Sequence, residues 1–336
     1  MDVPVAVEVW RGERVESRHR VSACVADADG RTVHAIGDVE QRVYPRSAVK
    51  PLQTLALLES GAADAFAVTD EEIALACASH SGEPQHVERV AAWLARLGLD
   101  AGALACGTHL PTYAPAAEAL IRARLAPTRV HNNCSGKHTG MLATALHLGV
   151  APAGYERPDH PVQRNVAAVL AEVTDTASLG EPAIDGCSLP VFAVPLEGLA
   201  LAAARLADPG RSGPARRAAS ERVVRAMRTH PELVAGTGRC CTAVMRALPD
   251  VMVKTGAEGV YIAALGRLGL GVALKVEDGA TRAAEVALLA VIDALGGMTR
   301  QARAALAPFR APVLINHAGT KVGRVAPAPG WPGAWH

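Results

Sequence analysis

The chain has 336 residues, half of them hydrophobic and only 20% charged, with a formal net charge of +1. That balance excludes a disordered chain, and the near-neutral charge implies no nucleic acid or other polyphosphate partner. The sequence opens without a basic leader and apolar run, and no uncharged stretch reaches membrane length, so the expected setting is cytoplasmic with no membrane partner. Seven cysteines without regular spacing argue for free thiols rather than a disulfide framework.

Alternating apolar residues predict strands at 3–10 and 21–26, and the Asp29-Gly30 turn leads to a third at 32–36. A helix is expected at 51–58, with Pro51 in its first turn and Gly61 closing it, so Ser47 lies near a helix N-terminus. Thr69-Asp70-Glu71-Glu72 forms a capping box for a helix running to Ala78, and 84–97 is amphipathic. Further helical patterns cover 116–125, 140–148, 161–173, 196–206, 215–227 and 240–248. The period then changes to short β-rich runs at 251–254, 259–265 and 269–276, followed by a helix at 281–295. Strands at both ends predict an α/β fold: one antiparallel sheet built from about 1–45 and 250–320, with a helical lobe of about 50–250 inserted between. Residues 1–325 read as a single domain and the Pro- and Gly-rich 326–336 as a flexible tail.

Only five of the 34 basic side chains are lysines: Lys50, Lys137, Lys254, Lys275 and Lys321. A lysine amine, unlike a guanidinium, can be neutralised by burial and then act as base, nucleophile or ligand. Lys50 closes a Ser47-x-x-Lys50 motif, in which residues three apart on a helical turn share a face and the amine can take the hydroxyl proton. Lys254-Thr255-Gly256 ends a predicted strand, and S-x-x-K with K-T-G is the pairing of penicillin-recognising serine enzymes. In a chain of this composition S-x-x-K arises by chance about 0.2 times and K-T-G about 0.02 times. Between them, Ser79-His80-Ser81-Gly82-Glu83 follows a helix end, where a serine can pair with Lys254 or relay a proton. A last cluster runs from His131 to His138. Its Cys134, with Cys187 further on, can supply two thiolates to one zinc, completed by His138 or an unprotonated Lys137.

The runs Arg46-Ser47-Ala48-Val49-Lys50-Pro51, Ser79-His80-Ser81-Gly82-Glu83, Asn132-Asn133-Cys134-Ser135-Gly136-Lys137-His138, Asp185-Gly186-Cys187 and Lys254-Thr255-Gly256-Ala257-Glu258-Gly259 resemble the asparaginase II family, the rhizobial-type L-asparaginases. The family fold is similar to serine β-lactamases and glutaminases. The resemblance implies two catalytic Ser–Lys pairs, Ser47 with Lys50 and Ser79 with Lys254, and a homodimer. It implies one zinc per chain on Cys134, Lys137 and Cys187, with Asp185 nearby, the metal supporting substrate binding rather than supplying a hydrolytic water. Ser188 stands where the resemblance leads to glycine. The implied reaction converts L-asparagine and water to L-aspartate and ammonia through a serine acyl-enzyme. Asp185 or Glu83 is expected to meet the substrate ammonium, and Arg46 or His138 its carboxylate. Two rivals use the same residues: a β-lactamase or peptidase-like hydrolase, and a non-catalytic zinc-binding protein.

Overall fold

The alternation near the N-terminus becomes strands β1 (Val5–Arg11), β2 (Arg14–Asp27) and β3 (Thr32–Ile36) in a computed structural model that describes residues 2–333. The β-rich runs after residue 250 become β4 (Val251–Thr255), β5 (Val260–Leu265) and β6 (Leu270–Val276). Two strands that the pattern did not mark, β7 (Val313–Ile315) and β8 (Lys321–Pro327), complete an antiparallel sheet. Its order is β7-β8-β1-β2-β6-β5-β4, with β3 also paired to β2. The N- and C-terminal parts meet where Val21 and Val25 of β2 face Val276 and Val272 of β6.

All six residues of β5 are buried, and since side chains alternate along a strand, both faces of the sheet are covered there. The covering helices are Leu196–Ala207 and Thr281–Ala294. Gly271 shows how closely the first approaches, because a Cβ there would lie 2.1 Å from both Ala200 O and Ala204 N. That contact ties residues 194–208 to the sheet, although the sequence pattern placed them with the helical lobe. The sheet unit comprises residues up to 48, 194–208 and those from 243 on. The segment expected as a flexible tail begins inside β8, and Ala328 N–H then donates to Ala6 O at 2.8 Å. Residues 334–336 of that segment lie outside the described residues.

The second unit, residues 49–193 and 209–242, is helical. Its elements include α1 (Lys50–Glu59), α2 (Asp70–Ala76), α3 (Pro84–Arg96) and α4 (Ser135–His147). Pro51 occupies the first turn of α1, where its missing N–H costs nothing. Thr69 and Glu72 form the expected capping box of α2: Thr69 Oγ1 accepts from Glu72 N, and Glu72 Oε2 accepts from Thr69 N. The helix α4 begins five residues before its predicted start. Eleven of its 13 residues are buried, so no polar face marks where it begins. No helix among the described residues is long and apolar enough to cross a membrane.

Candidate active site

Lys50 is the first residue of α1 and is 1% exposed. Its Nζ donates to Ala78 O, and to Ser79 Oγ at 3.0 Å. Burial lowers the Lys50 pKa; the Lys137 cation acts in the same direction, while the Cys134 and Cys187 thiols oppose it. The result is an amine poised toward its neutral form and held against a hydroxyl. Ser79 follows the end of α2 in a loop whose backbone is pinned on both sides. Ser79 N–H donates to Val234 O at 2.9 Å and His80 N–H to Asn133 O at 3.2 Å. The two amides that would flank an oxyanion at Ser79 are therefore committed elsewhere.

Cys134, Lys137 and Cys187 come together in the same unit. Lys137 Nζ donates to Cys187 Sγ at 3.1 Å, and the Cys134 thiol lies 2.8 Å from Asn133 Oδ1. All three side chains are buried, at 4–5% exposure. The hydrogen bond from Cys187 drives the Cys134 thiol well below its ordinary pKa, with both lysines adding to the effect, while Cys187 is raised as the partner that keeps the proton. Burial alone would lower Lys137, but the Cys187 and Cys134 sulfurs hold its ammonium above the usual lysine value. Asn132 Oδ1 accepts from Cys134 N and sets the turn that presents this thiol at the start of α4. Cys187 is presented by a second turn, in which Ser188 N donates to Asp185 O at 2.8 Å. Ser188 there has φ +72, the left-handed conformation that explains why glycine suits this position.

Among the described residues no three His, Cys, Asp or Glu side chains group as metal ligands. A zinc at this cluster therefore needs Lys137 as its nitrogen donor. Lys137 Nζ against Cys187 Sγ, with the buried Cys134 thiol in the same unit, is a donor set that fits zinc in kind, once Lys137 gives up its proton.

The sheet unit carries the remaining expected residues. Lys254 lies on β4 at 1% exposure and its Nζ donates to Thr255 O at 2.8 Å. Gly256 has a steric reason: a Cβ would lie 2.4 Å from Pro45 O and 3.1 Å from Ala48 N. The end of the K-T-G strand thus packs directly on the turn that carries Ser47. Arg46, just before it, has a φ of +51. Ser47 begins a helical stretch, since the 3₁₀ turn Arg46–Val49 runs into α1 without a break.

Two candidates for the substrate's charged groups are engaged within the helical unit. The Glu83 carboxylate accepts from Ser81 Oγ and Thr237 N on one oxygen, both at 2.7 Å, and from Thr237 Oγ1 and Gln85 Nε2 on the other. His138 is fully buried with Nδ1 2.6 Å from Tyr155 Oη, and burial holds it well below the ordinary histidine pKa. Asp185 is partly exposed beside the thiol cluster, its Oδ2 3.9 Å from Cys187 Sγ. Motif reading missed two features. One is that Lys50 holds Ser79. The other is the Gly236-Thr237 loop, whose close fit is shown by a Gly236 Cβ falling 1.9 Å from Ser81 Oγ. The only sequence signal for that loop is its small, turn-forming composition between two helical segments.

The chain matches the L-asparaginase II family over residues 7–327. It belongs to that family. No curated protein matches the chain. Among solved structures it is similar to Mglu in its native form, with 16% identity over 82% of this chain and 63% of that one and a TM-score of 0.46. A second Mglu structure, at 4.3 M NaCl, gives 14% identity over 77% of this chain and 56% of that one, with a TM-score of 0.44. The family member thus spans less than two thirds of the length of either Mglu chain. A β-lactamase from Mycobacterium bovis gives 14% identity, coverage of 86% and 95%, and a TM-score of 0.43.

Proposed function

We propose that this family member hydrolyses L-asparagine to L-aspartate and ammonia through an acyl-enzyme on Ser47. The observation that carries the reading is the buried Lys50 amine bound to Ser79 Oγ, in a chain of an asparaginase family. The order S-x-x-K then K-T-G supports a serine β-lactamase-like plan. Lys50 takes the Ser47 hydroxyl proton as the oxygen attacks the side-chain amide carbon. The carbon–nitrogen bond breaks as the leaving nitrogen receives a proton through Ser79, refilled from the lysine ammonium, and ammonia departs. Water then attacks the ester, returning a proton to Ser47 and releasing aspartate. Ser79 suits the relay because Lys50 Nζ donates to its hydroxyl, which places a proton source on that oxygen.

Asp185 meets the substrate ammonium and Arg46 its carboxylate; Lys254 adds a buried cation to the set. Glu83 serves the scaffold, since both of its carboxylate oxygens are engaged as described, and His138 is a poor cation for the carboxylate because burial holds its pKa well below the ordinary value. Zinc, when bound, is held by Cys134, Lys137 and Cys187 and supplies a positive charge that favours substrate binding. Ammonia release measured with asparagine, glutamine and a chromogenic β-lactam tests the reading. Turnover of asparagine supports it; turnover of the β-lactam alone overturns it.

A further inference from the structure

His80 follows Ser79 directly, is fully buried and has both ring nitrogens occupied. Its Nδ1 accepts from Gly82 N at 3.2 Å, and Nε2 lies 2.9 Å from Ser135 Oγ. The hydroxyl of Ser135 donates its one proton to Val130 O at 3.0 Å. Ser135 must therefore accept from His80, which fixes the ring as the neutral tautomer with its proton on Nε2. The ring cannot slide, because His86 stacks on it with centroids 4.8 Å apart and planes 11° from parallel. His86 is itself fixed: Nδ1 accepts from Glu83 N at 3.0 Å and Nε2 donates to Glu232 O at 2.8 Å.

We propose that His80 is a positioning residue for the Ser79 hydroxyl, a rigid strut from the serine loop to the first residue of α4. The proposal rests on the amidohydrolase reading above. The strut acts together with the backbone bond from His80 N to Asn133 O, so the loop is anchored to one turn of chain at two points. Lys50 reaches the Ser79 hydroxyl from α1. A relay tolerates little misplacement, and losing one anchor lets Ser79 move from the leaving nitrogen without removing any reacting group.

The strut has a definite chemical signature. Ammonia cannot leave without a proton, whereas p-nitrophenolate can, so the relay matters for asparagine and little for the β-p-nitrophenyl ester of aspartate. His80→Asn keeps an acceptor at the Nδ1 position but loses the bond to Ser135; His80→Gln keeps a donor at the Nε2 position. The expected result for His80→Asn is a kcat on asparagine lower by at least about tenfold, with KM and the ester rate changed less than about threefold. His80→Gln is expected to recover most of the loss, and Ser135→Ala to match His80→Asn without adding to it in the double variant. The ratio of amide to ester rates is independent of how much of each variant folds. An unchanged ratio in His80→Asn, or equal losses in the Asn and Gln variants, overturns the strut while leaving the amidohydrolase reading intact. A wild-type chain that releases no ammonia from asparagine overturns both.

Discussion

Lys50→Met is the sharpest perturbation of the proposed chemistry. Methionine has nearly the same length and apolar stem, so the buried channel stays filled, while the amine that contacts Ala78 O and Ser79 Oγ is lost. An unshifted lysine, with a pKa of about 10.4, is neutral in only about one molecule in 2,500 at pH 7. Burial and the neighbouring Lys137 raise that fraction tenfold for each unit by which they lower the pKa. Removing a general base of this kind costs about 10²–10⁴ in rate, or about 2.7–5.4 kcal/mol of barrier. The folded state loses the two hydrogen bonds to Ala78 O and Ser79 Oγ but also sheds the cost of burying an amine, so stability is expected to change by less than about 2 kcal/mol. The sign of the pH dependence follows from the base being active when neutral. Wild-type kcat/KM for asparagine rises toward alkaline pH as Lys50 loses its proton, and the residual Met activity is flat over the same range. Ammonia release from pH 6 to 10, with thermal unfolding on the same samples, checks both. A Met variant retaining more than a tenth of wild-type turnover would refute the lysine as base.

Other outcomes are expected from the same set of residues. Ser47→Ala abolishes the acyl adduct seen by mass spectrometry, whereas Ser79→Ala lowers asparagine turnover by about 100-fold or more but still forms an adduct with an activated ester. Zinc binds at about one per chain with release of protons, and is lost in Cys134→Ser or Cys187→Ser together with asparagine affinity; metal analysis and kinetics on one preparation check this. Burial alone would raise the Glu83 carboxyl, but hydrogen bonds from Ser81 and Thr237 hold it below its ordinary value. Its contribution is thus full above the unfolded value of about 4.3 and lost as pH falls through the lower folded one, and Glu83→Gln removes that acid-dependent part of the melting curve. Ser188→Gly relieves a left-handed residue and raises stability by about 0.5–1 kcal/mol in denaturant unfolding.

Much of this architecture is legible in local signals. The Thr69 capping box and Pro51 at the start of α1 involve neighbours in sequence, where chemistry decides conformation. Lysine scarcity was equally informative: the three lysines inside motifs are buried at 1–5% exposure, while Lys321 lies exposed at the start of β8. What stayed hidden depends on distance along the chain. Glu83 reads as a free carboxylate because two of its four donors come from Thr237, 154 positions away. The start of α4 is hidden for the opposite reason, because a helix buried all round has no amphipathic period to betray its first turn. The placement of Leu196–Ala207 on the sheet depends on Gly271, and a single glycine in a strand does not announce which backbone it admits.

Gly136 explains why the serine loop and the thiol cluster occur together at all. A Cβ there would stand 2.3 Å from Leu75 O, so α4 crosses the last turn of α2 backbone against backbone. Two residues before the crossing lies Cys134 and one residue after it Lys137; four residues beyond Leu75 lies Ser79. A single close contact therefore brings the thiol cluster to the helix end from which the serine loop departs. The backbone bond from His80 to Asn133 and the side-chain bond from His80 to Ser135 then hold the two segments in register. Any residue larger than glycine would separate the helices and lengthen both bonds at once. The invariance this predicts is physical rather than statistical: position 136 has to be glycine because the loop carrying Ser79 and the helix start carrying Cys134 and Lys137 share one wall.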